Sequence, residues 1–290
     1  MKMQGVYTAL VTPFDNNGDV DFVRFKELIK MQITAGVDGI IPVGTTGESP
    51  TLTTKEHIKV VRTAVEAAAG KCPIIAGTGA NSTAEALELT VLAKEAGADA
   101  SLQVAPYYNK PTQEGLYRHF SEVANKAGLP IVLYNVPGRS GVSIAPETIA
   151  RLSSNANVIA VKEAGGSVER VSSILELCDI TILSGDDSLT VPMISLGAVG
   201  VISVASNIIP AEIKRMVDAA NCGDFKTAAA LHKKYYCIFR DLFIESNPIP
   251  VKAAMALKGW IEEVYRLPLC VISDKGREQL TASLKKCGFI

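Results

Sequence analysis

Short apolar runs rich in β-branched residues alternate along most of the chain with longer stretches in which apolar positions recur every three or four residues. The first pattern is that of a strand buried on both faces, the second that of an amphipathic helix. Strands are expected at 6–12, 39–44, 73–78, 101–106, 130–136, 157–162, 181–185 and 200–205. Ala-Gly, beginning at Ala35, Ala69, Ala96 and Ala127, closes four of the helical stretches just before a strand. Glycine there supplies the left-handed residue that stops a helix. Thr53 with Glu56, and Ser82 with Glu85, have the spacing of a capping box. After Ser82, residues Leu89, Leu92, Ala93 and Ala96 fall on one helical face, and Pro146 sits where proline is tolerated at a helix start.

Eight alternations of strand and helix predict an α/β fold, a parallel sheet closed into a (β/α)₈ TIM barrel. A doubly wound open sheet is the alternative. It usually has fewer strands and often an early phosphate-binding glycine loop, and no Gly-x-Gly-x-x-Gly follows the first strand here. From Asp224 the pattern becomes helix only, with helices expected at 225–244, 248–260 and 274–286 and with Pro248, Pro250 and Pro268 as punctuation. The chain therefore divides into a catalytic barrel over 1–223 and a C-terminal three-helix extension over 224–290, packed on the barrel or serving oligomerisation.

Composition narrows the function classes. With 290 residues, 48% hydrophobic and 20% charged, the chain has the make-up of a globular protein rather than a disordered one or a coiled coil. A net charge of −1 without basic or acidic blocks leaves no electrostatic footprint for nucleic acid or an anionic membrane. The N-terminus lacks the apolar region of a secretory signal, and apolar runs stay far short of the roughly 20 residues that span a bilayer, so a cytoplasmic location is expected. The cysteines at 72, 178, 222, 237, 270 and 287 form no Cys-x-x-Cys pair and, with three isolated histidines, no metal-ligand spacing. They are expected to be reduced structural thiols, and neither a metal nor a cofactor is anticipated.

Barrel chemistry gathers at the C-terminal ends of the strands. The sixth run, Val158 to Val161, ends in Lys162 and Glu163. A period of two puts Val158, Ala160 and Lys162 on one face and Ile159, Val161 and Glu163 on the other. The lysine thus rises from an apolar wall with its neighbouring carboxylate turned away, and burial disfavours the charged form of an amine. A lysine at a strand end can equally snorkel its charge to water. Strand two ends Gly44-Thr45-Thr46-Gly47-Glu48, with Ile41, Val43 and Thr45 on one face. Its hydroxyls and glycine-flanked amides suit a small carboxylate, or form an ordinary capped turn. Strand four ends in Tyr107, Tyr108 and Asn109. Strand five carries Val132, Tyr134 and Val136 on one face, then Arg139. Tyr134 and Lys162 are expected to face each other. Asp186 and Asp187, after strand seven, would repel a phosphate and read as capping or hydrogen-bonding residues.

Taken together, Gly-Thr-Thr-Gly-Glu at 44–48, Pro-Tyr-Tyr-Asn-Lys-Pro-Thr-Gln-Glu-Gly at 106–115, Tyr-Asn-Val-Pro-Gly-Arg at 134–139, Val-Lys-Glu-Ala at 161–164 and Ser-Gly-Asp-Asp at 184–187 resemble the dihydrodipicolinate synthase family. These are pyruvate-dependent class I aldolases, grouped with N-acetylneuraminate lyase. The resemblance covers essentially the whole chain and implies condensation of pyruvate with aspartate semialdehyde to 4-hydroxy-tetrahydrodipicolinate, on the route to diaminopimelate and lysine. It implies a Schiff base on Lys162, a proton relay through Tyr134, Thr45 and the Tyr108 of a neighbouring subunit, and a pyruvate carboxylate held by Thr45 and Thr46. Arg139 would bind the semialdehyde carboxylate, and Gly185 and the Ile202 backbone would line the pyruvate pocket. The family also implies a homotetramer built as a dimer of dimers. It often carries a lysine-feedback site, whose positions match His57, Asn81, Glu85 and Tyr107; Pro50 and Thr54 depart from the alanine and histidine of some inhibited members.

Two rival readings follow from the same residues. One is another pyruvate aldolase, such as N-acetylneuraminate lyase, using the same lysine and tyrosine. The other is a silent barrel that binds a small acid. Arg139 and the run Tyr107-Tyr108-Asn109 argue for a short charged aldehyde, and the presence of lysine, tyrosine and threonine together argues for catalysis.

Overall fold

The computed structural model of the chain describes residues 2–290. Eight parallel strands run in chain order as β1 (Gly5–Ala9), β2 (Gly39–Ile41), β3 (Ile75–Gly77), β4 (Ala100–Val104), β5 (Ile131–Asn135), β6 (Val158–Glu163), β7 (Thr181–Ser184) and β8 (Gly200–Ser203). Their order in space, β2-β1-β8-β7-β6-β5-β4-β3, brings the two ends of the sheet together, and a parallel bridge between Ile40 and Ile74 joins them. Eight strand runs were expected and eight form; the barrel is the architecture, and the open sheet is excluded by that closure.

The helices are α1 (Phe22–Thr34), α2 (Thr54–Ala68), α3 (Thr83–Glu95), α4 (Gln113–Lys126), α5 (Pro137–Ser140), α6 (Pro146–Ser153), α7 (Glu169–Leu175), α8 (Thr190–Ser195), α9 (Pro210–Asn221), α10 (Phe225–Asp241), α11 (Ile249–Leu257) and α12 (Asp274–Lys286). Ala35, Ala69, Ala96 and Ala127 all occupy helix C-caps, and the glycines after them have φ between 65 and 93°. The Thr53–Glu56 capping box is complete. The Ser82–Glu85 box is not: Ser82 holds the cap position without a side-chain bond, and Glu85 turns instead to a cavity described below. The buried stripe of α3 is Ala86, Thr90 and Ala93, with Leu89 and Leu92 only half-buried, because Thr90 is drawn inward by hydrogen bonds to Thr78 and Gln103.

The barrel interior is filled by Tyr7, Ala9, Ile41, Ile75, Ala100, Leu102, Val132, Tyr134, Ala160, Leu183 and Ile202. Each fully buried aliphatic side chain of this kind stabilises the fold by roughly 1.5–3 kcal/mol. Two positions break the simple alternation. Val158 packs outside with Val161, while Ala160 lies inside, because the register against β5 slips between Ile131 and Val132. Such a bulge inserts one residue and reverses the facing of everything before it. Val43 likewise turns outward rather than sharing a face with Ile41, since β2 ends at Ile41 and Val43 adopts φ 51°.

The three C-terminal helices α10 to α12 share a continuous apolar core with the helices flanking β1 and β2, through Ile238, Phe239, Leu242, Val251, Met255, Leu280 and Leu284. No helix among the described residues is long and apolar enough to cross a membrane.

Candidate active site

At the C-terminal mouth of the barrel lies a cavity of about 590 Å³ lined by Thr45, Thr46, Tyr134, Arg139, Lys162, Gly185, Asp186 and Asn247, among others. Its floor follows from strand register. Tyr134 and Lys162 are direct partners in the parallel β5–β6 pair, so both project inward at the same height. The Lys162 side chain is 5% exposed, and its Nζ lies 4.1 Å from the centre of the Tyr134 ring. Glu163 points the other way. Its carboxylate accepts from Asn135 Nδ2 at 2.8 and 3.1 Å and from Gly165 N at 2.7 Å, and it pairs with Arg170 Nε at 2.9 Å. That carboxylate is thus fully occupied on the far side of the sheet from the amine.

Gly185 makes room for the lysine. A Cβ at this position would come within 2.6 Å of the Ala164 Cβ and 3.1 Å of Lys162 Cε. Beside it, the Asp186 carboxyl also lines the cavity; burial raises its pKa, and the Lys162 charge opposes that rise. Asp187, its neighbour, is fully committed elsewhere. It accepts from Ser203 Oγ at 2.5 Å, Val204 N at 3.1 Å and Ala205 N at 2.9 Å, which is the hydrogen-bonding role read from the sequence.

The Thr45–Thr46 loop is a tight turn built on left-handed backbone at Val43 and Glu48. It is closed by Gly47 N to Gly44 O and Glu48 N to Thr45 O, both 3.1 Å, and tied to the segment after β1 by Thr12 Oγ1 donating to Gly47 O at 2.7 Å. Thr46 is buried and its hydroxyl accepts from Asn247 Nδ2 at 3.0 Å. Arg139 stands on the four-residue helix α5 at the cavity rim, and its Nη2 donates to Asn247 O at 3.1 Å. Asn247 therefore ties the threonine loop to the arginine. Its own Oδ1 is buried without a hydrogen-bond partner among the described residues, in a residue that lines the cavity.

Beneath the loop, Glu48 and Lys252 form an ion pair with both side chains 0% exposed. Lys252 Nζ also lies 4.2 Å from the centre of the Phe14 ring. Burial lowers the lysine's pKa and the Glu48 carboxylate counters that fall. The pair fastens α11 to the end of β2.

Two of the sequence-derived residues lie away from this cavity within the chain. Tyr108 is 91% exposed at φ 73°, on the loop after β4. Ile202 is packed inside the barrel and is not part of the cavity lining, which takes Val204, just after β8, instead. A second cavity of about 360 Å³ brings together His57, Glu85 and Tyr107 with Pro50 and Thr54, and shares Thr45 and Arg139 with the first. Asn81 stands outside its lining, with its carbonyl accepting from Asn109 Nδ2 at 2.8 Å. Burial pushes His57 down to about 4, so it is neutral at pH 7, and raises the Tyr107 pKa, as does Glu85.

Reasoning from strand ends missed the far wall, which is Phe243, Ile244, Glu245, Ser246 and Asn247 between α10 and α11. These residues follow no barrel strand. The available signal was Lys252, a lone charge in the apolar run of α11 that marks a buried contact nearby.

The arrangement joins an amine able to attack a carbonyl, a phenol beneath it, two hydroxyls on one side and a guanidinium on the rim. Comparison with known proteins agrees on one family. The model of the dihydrodipicolinate synthetase family matches residues 2–287. The chain is 52% identical over 289 residues to the 4-hydroxy-tetrahydrodipicolinate synthase of Geobacter sulfurreducens, covering 99% of each chain. Its fold superposes on dihydrodipicolinate synthase from Aquifex aeolicus with TM-score 0.97 at 48% identity, over 99% of each chain. It also superposes on the chloride-inhibited enzyme of Acinetobacter baumannii complexed with pyruvate, with TM-score 0.98 at 43% identity over all of both chains. With a buried lysine over a tyrosine at the barrel mouth and a family match running almost end to end, this chain belongs to the dihydrodipicolinate synthetase family.

Proposed function

We propose that this chain is a 4-hydroxy-tetrahydrodipicolinate synthase, a lyase of the class I aldolase type, which condenses pyruvate with L-aspartate 4-semialdehyde. The observation that carries the reading is the Lys162 amine held 4.1 Å over the Tyr134 ring inside a cavity bounded by Thr45, Thr46 and Arg139.

Each role follows from what its group can do. The Lys162 nitrogen attacks the pyruvate ketone, and loss of water leaves an iminium. The positive nitrogen draws electrons from the adjacent methyl, a proton leaves carbon, and the resulting enamine attacks the aldehyde carbon of the second substrate. The new alkoxide takes up a proton. The amino group of the former semialdehyde then adds to the iminium carbon and displaces Lys162, which closes the ring and regenerates the amine. Tyr134 and Thr45 shuttle the protons, completed by the Tyr108 of a neighbouring subunit, whose position on an exposed loop suits a donated residue. Thr45 and Thr46 hold the pyruvate carboxylate through hydroxyls and turn amides. Arg139 grips the semialdehyde carboxylate in a bidentate manner. Gly185 clears the path of the lysine, and the backbone of Ile202 supports the floor.

The exchanged tyrosine requires at least a dimer, and a homotetramer made as a dimer of dimers is the proposed assembly, acting in the cytoplasm. Residues 1–223 supply the catalytic barrel and 224–290 the helical extension. The second cavity, through His57, Glu85 and Tyr107 with Asn81 alongside, is the proposed site for feedback by lysine, with Glu85 pairing the effector's amine. An unchanged rate with millimolar lysine in the assay would remove that assignment.

Borohydride reduction in the presence of pyruvate tests the central claim. The expected result is a stable adduct on the peptide containing Lys162, absent in Lys162→Ala. An adduct on another lysine, or none, refutes it.

A further inference from the structure

All six cysteines are free thiols, and two that are remote in sequence meet in space. Cys237 lies on α10 and Cys287 caps the C-terminus of α12, with their Sγ atoms 3.5 Å apart. Cys287 Sγ also approaches Lys234 O at 3.5 Å. The Cys287 proton is thereby directed at a carbonyl, and the Cys237 proton at the Cys287 sulfur. Both residues are half-buried, so a small reagent reaches them. A disulfide requires a sulfur separation of about 2.05 Å, which leaves a gap of roughly 1.5 Å for side-chain rotation and a slight helix shift to close.

The surroundings give the contact a purpose. The N-terminal end of α12 is clasped at the catalytic cavity, where Ser273 donates to Glu245 through N at 3.1 Å and Oγ at 2.5 Å. Its middle is held by Gln279 and Ser283 donating to the buried Asp241 of α10. Beyond Ser283, Leu284 is buried in the core, and the chain is then held by the thiol pair, the Phe289 ring against Tyr235 and Lys258 Nζ, and a bond from Lys258 Nζ to Phe289 O. The thiol pair thus sits at the C-terminal end of α12, an element whose other end is bonded through Ser273 to Glu245 of the cavity wall.

We propose that Cys237 and Cys287 form a reversible intramolecular disulfide under oxidising conditions, locking the C-terminal end of α12 onto α10. The oxidant is a low-molecular-weight disulfide such as oxidised glutathione. One protein thiolate attacks a glutathione sulfur, forming a mixed disulfide and releasing glutathione thiolate. The second protein thiolate then attacks the mixed disulfide at the protein sulfur and expels the second glutathione. Two protein thiols are oxidised, one glutathione disulfide is reduced to two thiols, and the two protons pass to solvent or to the leaving thiolates. The attacking species is a thiolate. Burial pushes Cys287 up to about 11, so the reaction accelerates as pH rises from 7 toward 10.

The test treats the full-length protein with oxidised glutathione and maps peptides without reduction. A Cys237–Cys287 crosslink is expected, with the mass of the intact chain lowered by two hydrogens and restored by dithiothreitol. The crosslinked form should melt about 5 °C or more higher, since a link closing a long loop constrains the unfolded chain. Cys237→Ser and Cys287→Ser should each lose the crosslink and the gain in Tm, keeping a glutathione adduct on the remaining thiol. Cys237 and Cys287 left unlinked while the exposed Cys222 or Cys270 is modified would overturn the proposal, as would crosslinks only between chains. A crosslinked chain with unchanged Tm would overturn the lock.

Discussion

Replacing Lys252 with methionine tests how the C-terminal helices hold the Thr45–Thr46 loop. Lys252 and Glu48 are both sealed from solvent, and among the described residues the only other hydrogen-bond partner of the Glu48 carboxylate is Arg266 N, at a long 3.4 Å. Methionine fills most of the space of the lysine stem, so little cavity is created. What remains is a buried carboxylate without its cation. Breaking such a pair from one side costs about 3–5 kcal/mol. For a chain of 290 residues, with unfolding entropy near 2.1 cal/mol/K per residue, that lowers Tm by about 5–8 °C. In the Glu48→Gln/Lys252→Met double variant both charges are gone, and stability should return to within about 1 kcal/mol of the wild type. Thermal and urea unfolding of the four proteins complete the double-mutant cycle. A Lys252→Met protein as stable as wild type, or a double variant whose losses simply add, would refute the argument.

Three further outcomes follow. Gly185→Ala places a methyl against Ala164 and Lys162 Cε, so borohydride trapping with pyruvate should slow by about 10-fold or more, as expected when reacting groups are displaced; unchanged trapping would show that the lysine has room to spare. Arg139→Ala should raise the KM for aspartate semialdehyde by roughly 10-fold or more, the loss expected on removing a charge-assisted contact, while pyruvate trapping stays intact; normal kinetics with the semialdehyde would remove the assignment. His57 and His119 are both buried and pushed down to about 4 by desolvation. The unfolded chain takes up these protons first, near pH 6.5, so stability is retained above that value and falls as pH drops toward 4, by on the order of 2–3 kcal/mol for each histidine. Calorimetry of wild type and His119→Gln across that range checks this, and an equal slope in both would count against it.

Lys162 and Tyr134 were legible because a period of two and a strand end suffice to aim both side chains at one interior. The same rule misplaced Val158 and Val43. A bulge in β6 and a left-handed residue after β2 are choices the backbone makes in answer to neighbouring strands, and neither leaves a mark in the local pattern. Asn247 could not be found from strand ends, since it reaches the site from the link between α10 and α11 in the helical extension. Glu48 looked like part of a carboxylate-binding turn. It became the partner of Lys252 only when residues 204 positions apart were brought together.

What the sequence by itself determined is therefore the periodic part: eight strands, the helices between them, their glycine stops, and the lysine and tyrosine on the inward faces of adjacent strands. Periodicity is local, and covalent geometry with hydrophobic burial is enough to decode it. Only the tertiary structure decided which distant side chains share the cavity wall, which cation neutralises Glu48 and which two thiols touch. Those contacts depend on how separate elements pack, and packing satisfies buried polar and charged groups across the fold rather than along the chain.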